Sequence, residues 1–191
     1  MYIHLIYFHS QLKLLTMATY KIDPAHSEIT FKVKHLVIST VSGSFSKFDA
    51  TMQSSKDDFS DASISFEADI ESITTNNEQR DAHLKSADFF HAEQFPKITF
   101  QSTSFTKKSD NEYILNGDLS ILGTTKPVSL KAEYGGDVID PWGQHREGFE
   151  IEGKIKRSDF GLKWNALTEA GGAVVSDDVR LNLNVEMVKQ A

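Results

Sequence analysis

The chain contains no cysteine. That excludes disulfides, Cys-ligated zinc, iron–sulfur clusters and a Cys nucleophile, and leaves the redox compartment open. Proline is scarce, at four in 191 residues, and there are only eleven glycines, which is too few for a fibrous or low-complexity chain. No run approaches eighteen apolar residues, so no membrane-spanning helix is encoded. A basic block is also missing: 20 Lys and Arg stand against 27 Asp and Glu, for a net charge of −7. Phosphate contacts dominate nucleic-acid affinity, so binding to nucleic acid is not expected, nor is binding to a generally anionic membrane surface. There is no Gly-x-Ser-x-Gly elbow, Walker loop or dinucleotide fingerprint. No His pair has the spacing of a helix-borne zinc site and no carboxylate cluster suggests calcium, so no metal is expected. The paired carboxylates Asp57/Asp58 and Asp177/Asp178 read as turn residues flanking strands.

What the chain does have is phenylalanine, thirteen against two Trp and five Tyr, and strict alternation. In Glu28–His35 the residues Ile29, Phe31, Val33 and His35 share one face. Ile64, Phe66, Ala68 and Ile70 alternate with polar neighbours. So do Tyr113, Leu115, Gly117, Leu119 and Ile121, then Val128, Leu130, Ala132 and Tyr134, then Phe149, Ile151, Gly153 and Ile155. The last stretch is the clearest, with Val179, Leu181, Leu183, Val185 and Met187 in phase. Each reads as a half-buried strand. A one-residue phase change between Val41-x-Gly43-x-Phe45 and Phe48-x-Ala50-x-Met52 predicts a bulge or bend. Turn signals fall at Asp57-Asp58, Ser109-Asp110-Asn111, Gly123-Thr124-Thr125, Gly135-Gly136-Asp137 and Asp140–Gly143. About eight strands joined by short turns predict an all-β, antiparallel barrel, a closure that removes exposed edges and leaves room for packed side chains or one small ligand.

Two segments break the alternation. Thr75-Asn76-Asn77-Glu78 predicts a capping box opening a short helix over 75–86, with Asp81 and Lys85 as a favourable i,i+4 pair. Residues 157–175, with Phe160, Trp164, Leu167 and a Gly171-Gly172 break, predict a loop capping one barrel end. At the front, residues 1–16 have no Lys or Arg before a short apolar run interrupted by His4. A secretory signal needs a basic start and a clean apolar core. Residues 1–16 are therefore expected to be a non-native leader or disordered extension, and 17–191 a cytoplasmic domain. A periplasmic location follows instead if residues 1–18 act as a signal peptide.

Several ordered motifs carry a family resemblance. Tyr20-Lys21-Ile22-Asp23-Pro24-Ala25-His26-Ser27, followed by Phe31 and His35-Leu36, resembles the opening of the YceI-like family. The most specific block is Arg80-Asp81-Ala82-His83-Leu84-Lys85-Ser86-Ala87-Asp88-Phe89-Phe90, then Phe95-Pro96-Lys97-Ile98-Thr99-Phe100. Leu122–Val128, Arg157–Leu162 and Val175–Val179 are similar to later family segments, so the resemblance covers about residues 20–188. His91 stands where an acidic or amide residue is more usual. The resemblance implies a single extended, lipocalin-like eight-stranded barrel with an apolar tunnel. It implies a ligand such as a polyisoprenoid, an isoprenoid quinone or a prenyl phosphate, no other cofactor, and often a homodimer.

On that basis the apolar tunnel is expected from Phe31, Phe45, Phe66, Leu84, Phe89, Phe90, Phe100, Leu119, Phe149, Phe160 and Trp164. The head group is expected near His26, Arg80, Asp81, His83 and Arg157, with Lys163 a lesser candidate. Structural roles compete with these. The Phe set can simply fill a core, Arg80 can be an ion-pair partner, and His35 reads as a hydrogen-bonded core residue. Three functions follow. The leading one is binding, sequestration or transport of a long-chain amphiphile without chemistry. The alternatives are a lipid-modifying isomerase or hydratase using the same cavity, and an interaction protein whose barrel is packed solid.

Overall fold

The alternating segments fold into one antiparallel sheet in the computed structural model, which describes residues 17–166 and 174–191. The strands are β1 (Ala18–Ile22), β2 (Glu28–His35), β3 (Ser39–Phe45), β4 (Phe48–Ser54), β5 (Ser63–Asp69), β6 (Ile73–Thr74), β7 (Lys97–Lys107), β8 (Glu112–Ile121), β9 (Thr124–Ile139), β10 (His145–Lys156) and β11 (Val175–Lys189). One helix, α1 (Glu78–Lys85), interrupts them. Residues 1–16 and the stretch holding Leu167 and Gly171-Gly172 lie outside the described residues.

The sheet runs β1-β4-β5-β7-β8-β9-β10-β11, and β11 pairs again with β1, so the barrel closes on eight strands. The other three strands prolong it. β2 continues β1 along the same neighbour: Ile22 pairs with Met187 and Glu28 with Asn184. β4 pairs with β1 and β3 with β2. β5 pairs with β4 and β6 with β3. Three of the eight staves are thus broken once each, at 23–27, 46–47 and 70–72. The break at 46–47 is the predicted phase change, which keeps Phe45 and Ala50 both buried across it.

Four local expectations need correction. Gly135-Gly136 does not end a strand: β9 runs through it, and the register with β10 shifts between Gly148 and Phe149. Gly136 has a φ of 109°, so the pair forms a bulge instead of a turn. The cap of α1 is Asn77, not Thr75; the Asn77 side chain accepts from the Arg80 amide at 2.9 Å. The left-handed turn at Asn76 (φ 59°) moves the helix start downstream. Asp81 does not pair with Lys85: it accepts from the Thr75 amide at 2.8 Å and from both neighbouring threonine hydroxyls, while Lys85 reaches Glu71 at 3.6 Å. Asp177 and Asp178 lie inside β11 at a register irregularity and not in a turn. There Asp177 accepts from the Ser158 amide and hydroxyl. His91, the departure from the family pattern, has a φ of 48°, a conformation in which Asn, Asp and His are all enriched.

One end of the barrel is plugged. The 55–62 connection, between β4 and β5, folds Phe59 inward to 3% exposure. Its ring meets Tyr20, Tyr134 and Phe149 edge-on at centroid distances of 5.6–5.7 Å. The Tyr113 hydroxyl donates to the Asp58 carbonyl at 2.9 Å, and Asp61 ties the loop to Ser54 and Ser55. α1 and the segment after β10 lie toward the other end, where β6 and β10 finish.

Candidate functional site

The inward faces of the strands do not meet across the barrel. They enclose a cavity of about 150 Å³ lined by 26 residues, room for on the order of ten waters by volume. Along β10 the lining runs from Phe149 to Ile155, about six residue steps or about 20 Å of strand. Among the described lining residues only Thr30 has a hydroxyl, and that hydroxyl donates to the Asn182 carbonyl at 2.6 Å. A buried water needs two to four polar partners, and among the described lining side chains only the Thr30 hydroxyl oxygen is left to accept from one. The barrel is therefore not packed solid, and its hollow suits apolar chains.

Of the residues expected in a tunnel, Phe31, Phe45, Phe66, Phe100, Leu119 and Phe149 line this cavity. Leu84, Phe89, Phe90, Phe160 and Trp164 are absent from its wall. Leu84 on α1, Phe89 and Phe90 just after it, and Phe160 and Trp164 after β10 belong to or pack against the same core without lining the cavity. The His83 ring stands edge-on to Phe89 at 5.0 Å and to Trp164 at 4.8 Å. Each expected tunnel residue is apolar, and whether it faces the lumen is set by the long-range path of the chain.

The expected head-group residues do not form one cluster. His26 sits at the break between β1 and β2, with Nδ1 2.8 Å from Asp23 Oδ2. Arg146 donates to Asp23 at 2.8 Å, to Asp140 at 2.7 Å and to Glu186. The His26 hydrogen bond first, and Arg146 second, hold the Asp23 carboxyl down at about 2. Donor atoms of Asp23, His26 and Glu186 lie within 4.8 Å of one another. Arg146 already occupies the place a metal cation would neutralise, so the trio reads as an ion-pair network.

Arg157 is committed elsewhere. Its buried guanidinium donates to the carbonyls of Ser176 (3.0 Å), Trp164 (2.8 Å), Leu162 and Val175. It ties the post-β10 segment to β11. Arg80 is different: it is exposed on α1, and its Nε and Nη2 bind the Thr75 hydroxyl and carbonyl at 2.7 and 2.8 Å. Thr75 in turn approaches Gly43 beside Phe31 of the cavity wall. Arg80 is thus separated from the lumen by Thr75 and the cavity wall, and Asp81 accepts from the hydroxyl of the same threonine.

The sequence reading missed a polar pair at the plugged end. Glu147 is buried, and Tyr134 donates its phenolic hydrogen to Glu147 Oε2 at 2.7 Å. Burial pushes the Glu147 carboxyl above its ordinary value, and burial together with this carboxylate raises Tyr134. Neither residue lines the cavity. A signal for Glu147 existed, since it falls in phase with the inward set Phe149, Ile151 and Gly153.

Residues 20–187 match the model of the YceI-like domain. The chain is 41% identical to Protein YceI of Escherichia coli O157:H7 over 175 residues, covering 91% of this chain and 88% of that protein. Among solved structures it resembles the Campylobacter jejuni YCEI protein at 34% identity and a TM-score of 0.71, covering 83% of this chain and 90% of that one. It also shares its fold with a polyisoprenoid binding domain from Saccharophagus degradans, at 13% identity and a TM-score of 0.64, covering 90% of this chain and 98% of that one.

Proposed function

This chain belongs to the YceI-like family, and from that premise we propose that its barrel binds one long apolar chain of the polyisoprenoid class and carries or sequesters it without altering it. The observation that carries this reading is the cavity wall, which spans about 20 Å of strand with its one hydroxyl already hydrogen-bonded. The Saccharophagus degradans domain of the same fold is described as polyisoprenoid binding, which supports the ligand class. Burying roughly 500 Å² of chain at about 25 cal/mol per Å² contributes on the order of 12 kcal/mol gross. Association and ordering offset much of that, and the remainder still supports micromolar binding by the tail alone.

A polar head group is proposed to sit outside the lumen beside α1, where Arg80 keeps unused guanidinium donors in solvent. Arg157 is excluded from that role because backbone carbonyls occupy its donors. The enzymatic alternative needs an acid or base within hydrogen-bond reach of the bound chain, and the described lining supplies none. Among the described residues the buried carboxyl with a raised pKa, Glu147, is not part of the cavity lining.

The test is native mass spectrometry of the full chain, followed by organic extraction and by titration with a dansyl-labelled geranylgeranyl ether. A stoichiometric prenyl or quinone adduct, or saturable probe binding, is expected. Leu183→Trp, which fills the lumen, should weaken the probe at least tenfold. A folded protein that takes up no apolar probe, or a product chemically different from the added lipid, overturns the reading.

A further inference from the structure

A barrel whose inward faces are this rich in Phe and Leu ought to be full. It is hollow partly because three inward positions carry no side chain, and a neighbour's large side chain lies down in each gap. Gly43 on β3 pairs directly with Phe31 on β2, and a β-carbon at position 43 would stand 2.3 Å from Phe31 Cζ. At position 117 on β8 it would stand 2.3 Å from Phe100 Cζ, and at position 153 on β10 it would stand 2.2 Å from Leu130 Cδ2. Non-bonded carbons do not approach so closely, so each side chain occupies the volume its glycine leaves empty. Phe31, Phe100 and Leu130 all line the cavity, and each places its outer atoms over a glycine. None of these three glycines has a positive φ, so backbone conformation does not require them. Space does.

We propose that Gly43, Gly117 and Gly153 set the bore of the barrel, and so select the cross-section of chain it admits. This rests on the reading of the lumen as the seat of an apolar chain. A prenyl chain bears a methyl branch on every isoprene unit and is wider than an unbranched acyl chain of the same length. A methyl group on any of the three glycines drives one lining side chain inward and narrows the bore at one level. The branched chain is excluded first. The three positions are not equivalent as tests. At Gly117 a β-carbon would also meet the Gln101 carbonyl at 2.5 Å, so substitution there strains backbone. At Gly153 the conflict is with the end of one leucine side chain.

The experiment uses the full chain and two probes with the same dansyl head, one on a geranylgeranyl chain and one on a hexadecyl chain. Gly153→Ala and Gly43→Ala are expected to weaken the branched probe about tenfold or more and the straight probe less than about threefold, the range over which one carbon in an apolar pocket discriminates. Gly153→Ala combined with Leu130→Ala should restore branched-chain binding, and Leu130→Ala alone should raise the branched-to-straight ratio. Circular dichroism and the melting temperature establish that each variant is folded, and the Leu130→Ala arm reads the bore even where an alanine at 153 or 43 does not fold. Unchanged ratios in folded variants, or equal losses for both probes, overturn the proposal while leaving chain binding intact. Failure of the unsubstituted protein to bind either probe instead removes the reading on which the proposal rests.

Discussion

Tyr134 donates its phenolic hydrogen to Glu147 Oε2 at 2.7 Å across the β9–β10 pair, and Glu147 is a buried carboxyl at the plugged end of an otherwise apolar barrel. Burial raises the folded pKa of Glu147 above its ordinary 4.5. The unfolded chain therefore releases that proton first. The stabilising contribution is complete below 4.5 and is lost as pH rises through the raised folded value. Urea unfolding across that range should show stability falling with pH, by at most ~1.4 kcal/mol per pH unit for one proton. Glu147→Gln, which keeps an acceptor for Tyr134, should remove that slope; an unaltered slope would assign it to other groups.

The Arg146 network acts with the opposite sign. The hydrogen bond from His26, then that from Arg146, depresses Asp23 from 3.8 to about 2. Stability from Asp23 is present above 3.8 and is lost as pH falls toward 2. Arg146→Ala leaves Asp23, Asp140 and Glu186 facing one another. The Arg146 side chain is partly exposed, so the loss at neutral pH should exceed that of a lone surface pair and fall short of that of a buried one. Chemical denaturation at pH 7 and at pH 3 measures it, and the variant should show a smaller loss between the two than the natural chain.

Arg157→Lys should destabilise by about 2–3 kcal/mol, because one ammonium cannot serve four carbonyls fanned around a planar guanidinium. The local reporter is Trp164, whose carbonyl Arg157 holds. In a Trp142→Phe background the Trp164 emission should shift to the red. Unchanged emission and melting temperature would show that the carbonyl cluster contributes nothing.

Phe59→Ala removes the ring that fills the plugged end, at a cost of about 3–4 kcal/mol. It also opens that end of the lumen. Stopped-flow dissociation of the dansyl-geranylgeranyl probe should become faster, whereas equal destabilisation by a substitution distant from the plug should leave the rate unchanged.

Much of the barrel was legible because alternation is a local property. Leu181, Leu183, Val185 and Met187 declare one face of β11 without reference to any other strand, and all four line the cavity. The phase change between Phe45 and Ala50 announced a broken stave. Phe89, Phe160 and Trp164 are as apolar as Phe100, yet they are not part of the cavity wall, because the segments after α1 and after β10 have no period that fixes what they face. Arg157 looked like a candidate for an anionic ligand for the same reason: its four acceptors come from Leu162, Trp164, Val175 and Ser176, and two of these lie across a chain reversal.

The sequence by itself determined the class of the fold and which side of each strand is apolar, since both follow from a two-residue repeat. Only the tertiary structure decided that the apolar interior is hollow. A glycine on an inward face reads as a weak point in its strand until the register brings Phe31 beside Gly43 or Leu130 over Gly153. That register is fixed by hydrogen bonding between segments far apart in the chain, and no local pattern encodes it.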